Sequence, residues 1–220
     1  MNLKVLGINA SPRGSNSQTL RLVRAALDGA KEAGAETELV DLCKLDIEYC
    51  TACGVCFAKG RCIHEDDFDE LYQKILGADG LVLGSPNYFH TVTAQMKTMV
   101  DRMADAIHCQ LLAGKYGCSV ATAGGPAFDE VTDYLNGILM GFGANVVGHV
   151  GASPRLPEQM EAAEKEAFAL GQELAKAIRE KRVYPDQEAF HQERRKYFKA
   201  LVEMNKDIWT NEYEHWKRMG

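Results

Sequence analysis

Short apolar runs alternate along the chain with longer segments in which apolar residues recur every three to four positions. The runs lie at 3–9 (LKVLGIN), 37–42 (TELVDL), 80–86 (GLVLGSP), 116–124 (YGCSVATAG) and 144–151 (ANVVGHVG). Each predicts a strand, and the near-continuous ones predict strands buried on both faces. The helical spacing predicts helices over 19–33, 66–78, 93–107, 126–142 and 157–181. Gly34 is placed to end the first helix, Pro126 to open the fourth, and acidic residues 66, 67 and 69 to complement the start of the second. Five strand–helix repeats in succession predict an α/β fold, a doubly wound five-stranded parallel sheet with right-handed crossovers. Ligands of such sheets sit at the carboxyl ends of the strands. The loops 10–18, 86–91 and 123–127 all follow predicted strands, so all three are expected to open on the same edge.

The pattern changes after residue 182. Residues 1–182 read as one domain with a cysteine-rich loop at 50–62, and 183–220 as a C-terminal helical arm. Phe190, Tyr197, Leu201, Met204 and Ile208 form an apolar stripe at helical spacing, followed by Trp209, Tyr213 and Trp216. The arm either packs on its own domain or docks on a neighbouring subunit.

Composition narrows the partners. The 220 residues are 46% apolar and 25% charged, ordinary for a globular protein, and the net charge of −6 leaves no basic surplus for nucleic acid. The N-terminus lacks the marks of a secretory signal, and no apolar run approaches a membrane span, so a cytoplasmic protein with reduced thiols is expected.

Two segments carry chemistry. The first, SPRGSNSQT at 11–19, joins a strand to a helix. A helix N-terminus presents free N–H groups and a positive dipole end, and Ser11, Ser15, Ser17, Thr19 and Arg13 add hydroxyls and charge, all suited to phosphate. It matches neither the dinucleotide fingerprint nor the P-loop. The second, YCTACGVCFAKGRC at 49–62, spaces its cysteines as C-x2-C-x2-C-x5-C: Cys50, Cys53, Cys56 and Cys62. Three cysteines two residues apart suit one corner of an iron–sulfur cube, and a single cluster with four local ligands is the consistent reading. Zinc sites usually pair two knuckles across a longer spacer, so zinc ranks below the cluster, and bare thiols fall between. Cys43, Cys109 and Cys118 lie outside the spacing and read as core residues.

The stretches GINASPRGSNSQTLRLV, CTACGVCFAKGRCIHEDDF and GLVLGSPNYFHTVTAQMKTMVDR together resemble the NADPH-dependent FMN reductase superfamily, in particular its iron–sulfur flavoprotein branch. The resemblance covers roughly residues 3–152. It implies a flavodoxin-like fold and bound FMN. It implies that Ser11, Arg13, Ser15, Asn16, Ser17, Gln18 and Thr19 hold the FMN phosphate. Pro86, Asn87, Tyr88, Phe89 and His90 would pack along the isoalloxazine ring, with Ala123, Gly124 and Gly125 at its pyrimidine side. Tyr88 and Phe89 can supply flat apolar contact and the glycines close approach, as a flavin requires. His90 reads as a bystander rather than a proton donor. The resemblance further implies one [4Fe-4S] cluster, electron exchange with NAD(P)H or ferredoxin and a small-molecule acceptor, and assembly as a homodimer or homotetramer. The competing readings are a cluster-free NAD(P)H-dependent FMN, quinone or nitro-compound reductase, and a flavin-based electron carrier or redox sensor with no substrate of its own.

Overall fold

The computed structural model describes residues 3–219. The chain order is β1 (Lys4–Asn9), α1 (Gln18–Glu32), β2 (Glu36–Asp41), α2 (Val55–Lys59), α3 (Phe68–Gly77), β3 (Gly80–Pro86), α4 (Ala94–Arg102), α5 (Ala104–Cys109), β4 (Tyr116–Thr122), α6 (Asp129–Gly141), β5 (Asn145–Ala152), α7 (Pro157–Glu180), α8 (Pro185–Met204) and α9 (Thr210–Met219). All strand pairs are parallel, in the order β2-β1-β3-β4-β5. This is the flavodoxin-like doubly wound order, whose switch point lies between β1 and β3.

Strand burial follows position in the sheet. β3 and β4 are buried almost end to end, whereas the edge strand β2 alternates exposed and half-buried residues, with Val40 its one buried residue. Successive side chains of β1 and β3 point to opposite faces and feed two cores. Leu6, Ile8, Leu81 and Leu83 meet Phe68, Leu71, Met96, Met99, Leu135 and Leu139 from α3, α4 and α6. Val5 and Val82 meet Leu22, Val23, Ala167 and Leu174 from α1 and α7 on the other face. There α1 and α7 touch backbone to backbone. A Cβ on Gly29 would collide with the carbonyl of Phe168, and one on Gly171 with the carbonyl of Ala26.

Three elements differ from the sequence pattern. The segment expected as one helix over 93–107 bends at Met103, where i to i+3 bonds from Met103 N–H to Val100 and from Ala106 N–H to Met103 tighten the turn. Pro126 does not open a helix. Phe128 N–H bonds back to the Pro126 carbonyl in a tight turn, and α6 starts at Asp129. The cysteine stretch contains a short helix, α2, which its composition did not predict.

The tail folds back on its own chain as α8 and α9. Phe198, Val202 and Trp216 are buried together, packed with Ile107 of α5 and with Trp209. The stripe read from the sequence is mostly on the outside: Tyr197, Met204 and Ile208 are exposed, and His191, Phe198 and Val202 turn inward. Both stripes have helical spacing, and a shift of one residue rotates the face by about 100°.

Gly171→Ala is expected to destabilise the protein by about 2–3 kcal/mol in urea unfolding, because two helix backbones must part. Gly137→Ala serves as the control. It lies in α6 with open space where a Cβ would sit, so the same change there stabilises by about 0.5–1 kcal/mol.

Candidate functional site

Because all five strands run the same way, the loops after β1, β3, β4 and β5 open on one edge. They enclose a cavity of about 370 Å³. Ser11, Arg13, Gln18 and Thr19 line it from the first loop, Pro86, Asn87 and Tyr88 from the second, and Ala123 and Gly124 from the third. Nine residues named from the sequence thus meet at one place. The others stand apart. Ser17 is the N-cap of α1, its hydroxyl accepting from Leu20 N–H at 2.9 Å. Ser15 and Asn16 are exposed on the turn before it. Gly125 lines a neighbouring cavity.

The first loop is built to present donors. Gly14, at a φ of +54°, lets the chain turn sharply before α1. Thr19 is buried and shares a 2.6 Å hydrogen bond with Thr122. This ties the start of α1 to the end of β4. Arg13 is exposed and has no ion-pair partner among the described residues. A cavity with a helix N-terminus on one side, a free guanidinium at its rim and a side-chain-free wall at Gly124 fits a phosphate joined to a flat ring.

The second loop is held under strain. Tyr88 and Thr91 pair backbone to backbone, and the two residues between them, Phe89 and His90, have φ values of 56° and 68°. A two-residue turn with both central residues left-handed normally takes Asn and Gly. Phe89 is pushed out to 97% exposure. His90 pairs with Glu130 at 2.7 Å on the surface. Asn87 is a brace: its Oδ1 accepts from His90 N–H at 2.9 Å, its Nδ2 donates to the Ala127 carbonyl, and its own N–H donates to Thr122. It locks the second loop to the third.

Thr122, Pro154 and Arg155 also line the cavity and were not anticipated. A signal was present in the sequence. The tripeptide Ser-Pro-Arg occurs at 11–13 and again at 153–155, each time just beyond a strand of the same sheet.

The cysteine loop leaves the sheet elsewhere. Its neck is clamped by Arg102, whose Nη1 donates to the Glu48 carbonyl and to Asp66, both at 2.7 Å, while Nη2 reaches Asp66 at 3.1 Å. This ion pair is almost wholly buried and lies over the Phe68 ring. Burial pushes the Asp66 carboxyl up, but hydrogen bonds from Arg102, Glu48 N–H and Phe68 N–H outweigh it and hold it below the usual carboxylate range. Within the loop, Ala52, Gly54 and Gly60 take positive φ, and Ala52 N–H points at the Cys50 sulfur at 3.5 Å. The far side of α2 is covered by the tail. His108 is packed against Phe57 of α2, Phe198 and Trp209, and Thr210 donates to the Ala58 carbonyl at 3.0 Å.

Cys50 and Cys53 are exposed, and Cys56 and Cys62 half-buried. Burial pushes the Cys56 thiol up to about 12, with the acids Asp105 and Glu212 and the neighbouring Cys62 and Cys53 adding to the shift. A thiolate there needs a cation to offset this. Four soft thiols at this spacing are a suitable donor set for iron. Among the described residues, however, no three ligating side chains converge on a point where a metal ion would sit. Cys109 and Cys118 are buried core residues as expected, and Cys43 is half-buried.

A flavodoxin-like sheet with phosphate-type and ring-type loops meeting at its switch point defines a mononucleotide-binding α/β protein. Comparison with known proteins narrows this. Residues 3–155 match the family model described as NADPH-dependent FMN reductase. An iron–sulfur flavoprotein of Archaeoglobus fulgidus is 36% identical over 221 residues, spanning 99% of both chains. One from Methanocaldococcus jannaschii is 42% identical over 119 residues, 54% of this chain and 61% of that protein. A flavone reductase of known structure superposes with a TM-score of 0.66 at 23% identity, covering 80% of this chain and 63% of the other. The chain belongs to the NADPH-dependent FMN reductase family, in its iron–sulfur flavoprotein branch, and is an FMN-dependent oxidoreductase.

Two variants test the local physics. Phe89→Gly is expected to stabilise the protein by about 1 kcal/mol in urea unfolding, since it removes left-handed strain and no buried contact. Arg102→Leu is expected to cost about 3–5 kcal/mol because it leaves Asp66 buried and unpaired, with Arg102→Lys recovering part. The lowered Asp66 value means that its stabilisation is complete above about pH 4 and is lost as pH falls through the folded value. The Leu variant should therefore lose less of its remaining stability on acidification than the native protein does.

Proposed function

We propose that the 370 Å³ cavity holds FMN, with its phosphate at Ser11, Arg13 and Thr19 and its ring between Tyr88 and the Ala123–Gly124 wall. FMN, when bound, accepts and returns electrons singly or as hydride. The chain's own part is to orient the ring, supply hydrogen bonds to it and surround the phosphate with donors. The donor is a reduced pyridine nucleotide, NADH or NADPH, or a ferredoxin, and the acceptor a small molecule. The observation that carries this reading is the meeting of three independently recognised loops in one cavity.

In the same reading, Cys50, Cys53, Cys56 and Cys62 ligate one [4Fe-4S] cluster that exchanges single electrons with the flavin site. The spacing supports it, as do the names of the relatives. The cysteine helix α2 packs on α5 and α9, on a flank of the domain and not in the loops that line the cavity. The protein is accordingly read as a homodimer or homotetramer in which a second copy brings its cysteine loop to the flavin, and exposed Phe89, Met204 and Ile208 are surfaces such a contact would cover. The second reading is a cluster-free reductase in which the four cysteines stay as thiols, in line with the burial that raises the Cys56 thiol. Among the described residues, no helix is long and apolar enough to cross a membrane.

Anaerobically purified protein is expected to show a flavin spectrum over a broad brown absorbance, with about four irons and four sulfides per chain. Cys53→Ser should remove the iron and leave the flavin. A yellow protein with no iron would favour the cluster-free reductase, and a colourless one that does not take up FMN would overturn the flavin reading.

A further inference from the structure

Beside the flavin cavity lies a larger one of about 560 Å³. The two share Gly124 and Arg155. Of its lining, the flavin placement proposed above uses only the Gly124 wall. We propose that it binds a flat aromatic ligand carrying one anionic group, a second ligand of the reaction whose flavin site was inferred above, on which this proposal rests.

The lining gives the ligand its shape. Phe128, Leu156, Ala162 and Ala163 make apolar walls on either side, and the volume falls within the 300–1,000 Å³ of small-molecule sites. A Cβ on Gly151 would collide with the Phe128 ring, so the glycine lets that ring pack close against β5 as one wall. The partition toward the flavin cavity is the Gly124–Gly125 backbone, with no side chain. Arg155 lies across this partition, its Nε and Nη2 at 3.8 and 3.9 Å from where a Gly124 Cβ would be.

The charges give the ligand its polarity. Arg155 has no ion-pair partner among the described residues. It stands at the N-terminal end of α7, which has no side-chain cap, so the helix dipole adds positive potential there. Glu166 is the negative residue of the lining, nine residues beyond Pro157 and so about 13 Å along α7. An anionic group is drawn to the Arg155 end and repelled from the other. The ligand therefore lies with its acid beside the flavin cavity and its ring against Phe128 and Leu156. One cation in the lining matches one acid, so the ligand is an acidic aromatic electron acceptor.

The test uses FMN-loaded full-length protein and isothermal titration with 2-naphthoate, neutral 2-naphthamide and 2′-phospho-ADP-ribose. 2-Naphthoate is expected to bind tenfold more tightly than the amide. Arg155→Gln should erase that preference. Ala162→Phe, on the exposed face of α7 and lining only the larger cavity, should weaken the anion at least tenfold while the FMN dissociation constant moves less than twofold. Binding of naphthoate with that preference identifies an acceptor site. Equal binding of naphthoate and naphthamide, binding of the nucleotide in place of naphthoate, no naphthoate binding at all, or naphthoate binding untouched by Ala162→Phe overturns the proposal. Failure to take up FMN marks failure of the flavin reading instead. The same titrations on the flavin-free chain then decide this proposal by the same outcomes.

Discussion

The arrangement of this protein depends on the common direction of its five strands. In a parallel sheet every strand ends at the same edge, so loops far apart in the chain open side by side. Loops from residues 11, 86, 123 and 154 thereby line one cavity. The rest of the site consists of braces between them. Thr19 bonds Thr122, and Asn87 bonds both its own loop and Ala127. A left-handed turn at Phe89 and His90 persists because those braces over-determine it.

The cysteine loop obeys a different constraint. It is a long excursion between β2 and α3, and little of it is held by the sheet. Its order comes from a buried arginine at its neck and from the tail at its far side. Arg102 joins residues 48 and 66, and α9 covers α2. The tail thus has a role within its own chain, as a support for the cysteine helix. Burial first, and then the nearby buried acids Asp105 and Glu212, keep the Cys56 thiol protonated in the absence of a cation.

Much of this was readable from the sequence. Five apolar runs alternating with helical segments specified the sheet, because period and run length report burial directly. The phosphate-type loop and the cysteine spacing were visible because each is local. Arg155 escaped notice although its tripeptide repeats that of Arg13, because a two-fold occurrence of three residues means nothing until both are known to end strands of one sheet. In the tail, the stripe of Phe190, Tyr197 and Met204 lies one helical position from the face that packs, while Trp209, Tyr213 and Trp216 join the packed cluster. Phe190, Tyr197 and Met204 form as good a stripe as His191, Phe198 and Val202, and only the position of α5 selects the second.

Sequence alone determined the five strands and the main helices that alternate with them, the nine cavity residues that sit in recognisable loops and the spacing of the four loop cysteines. Those features depend on interactions within a few residues of one another. Tertiary structure decided which residues do not reach the cavity, how the tail packs and that a second cavity lies behind Gly124. Those features depend on which distant segments share a surface, and that is settled by packing of the whole chain rather than by any local pattern.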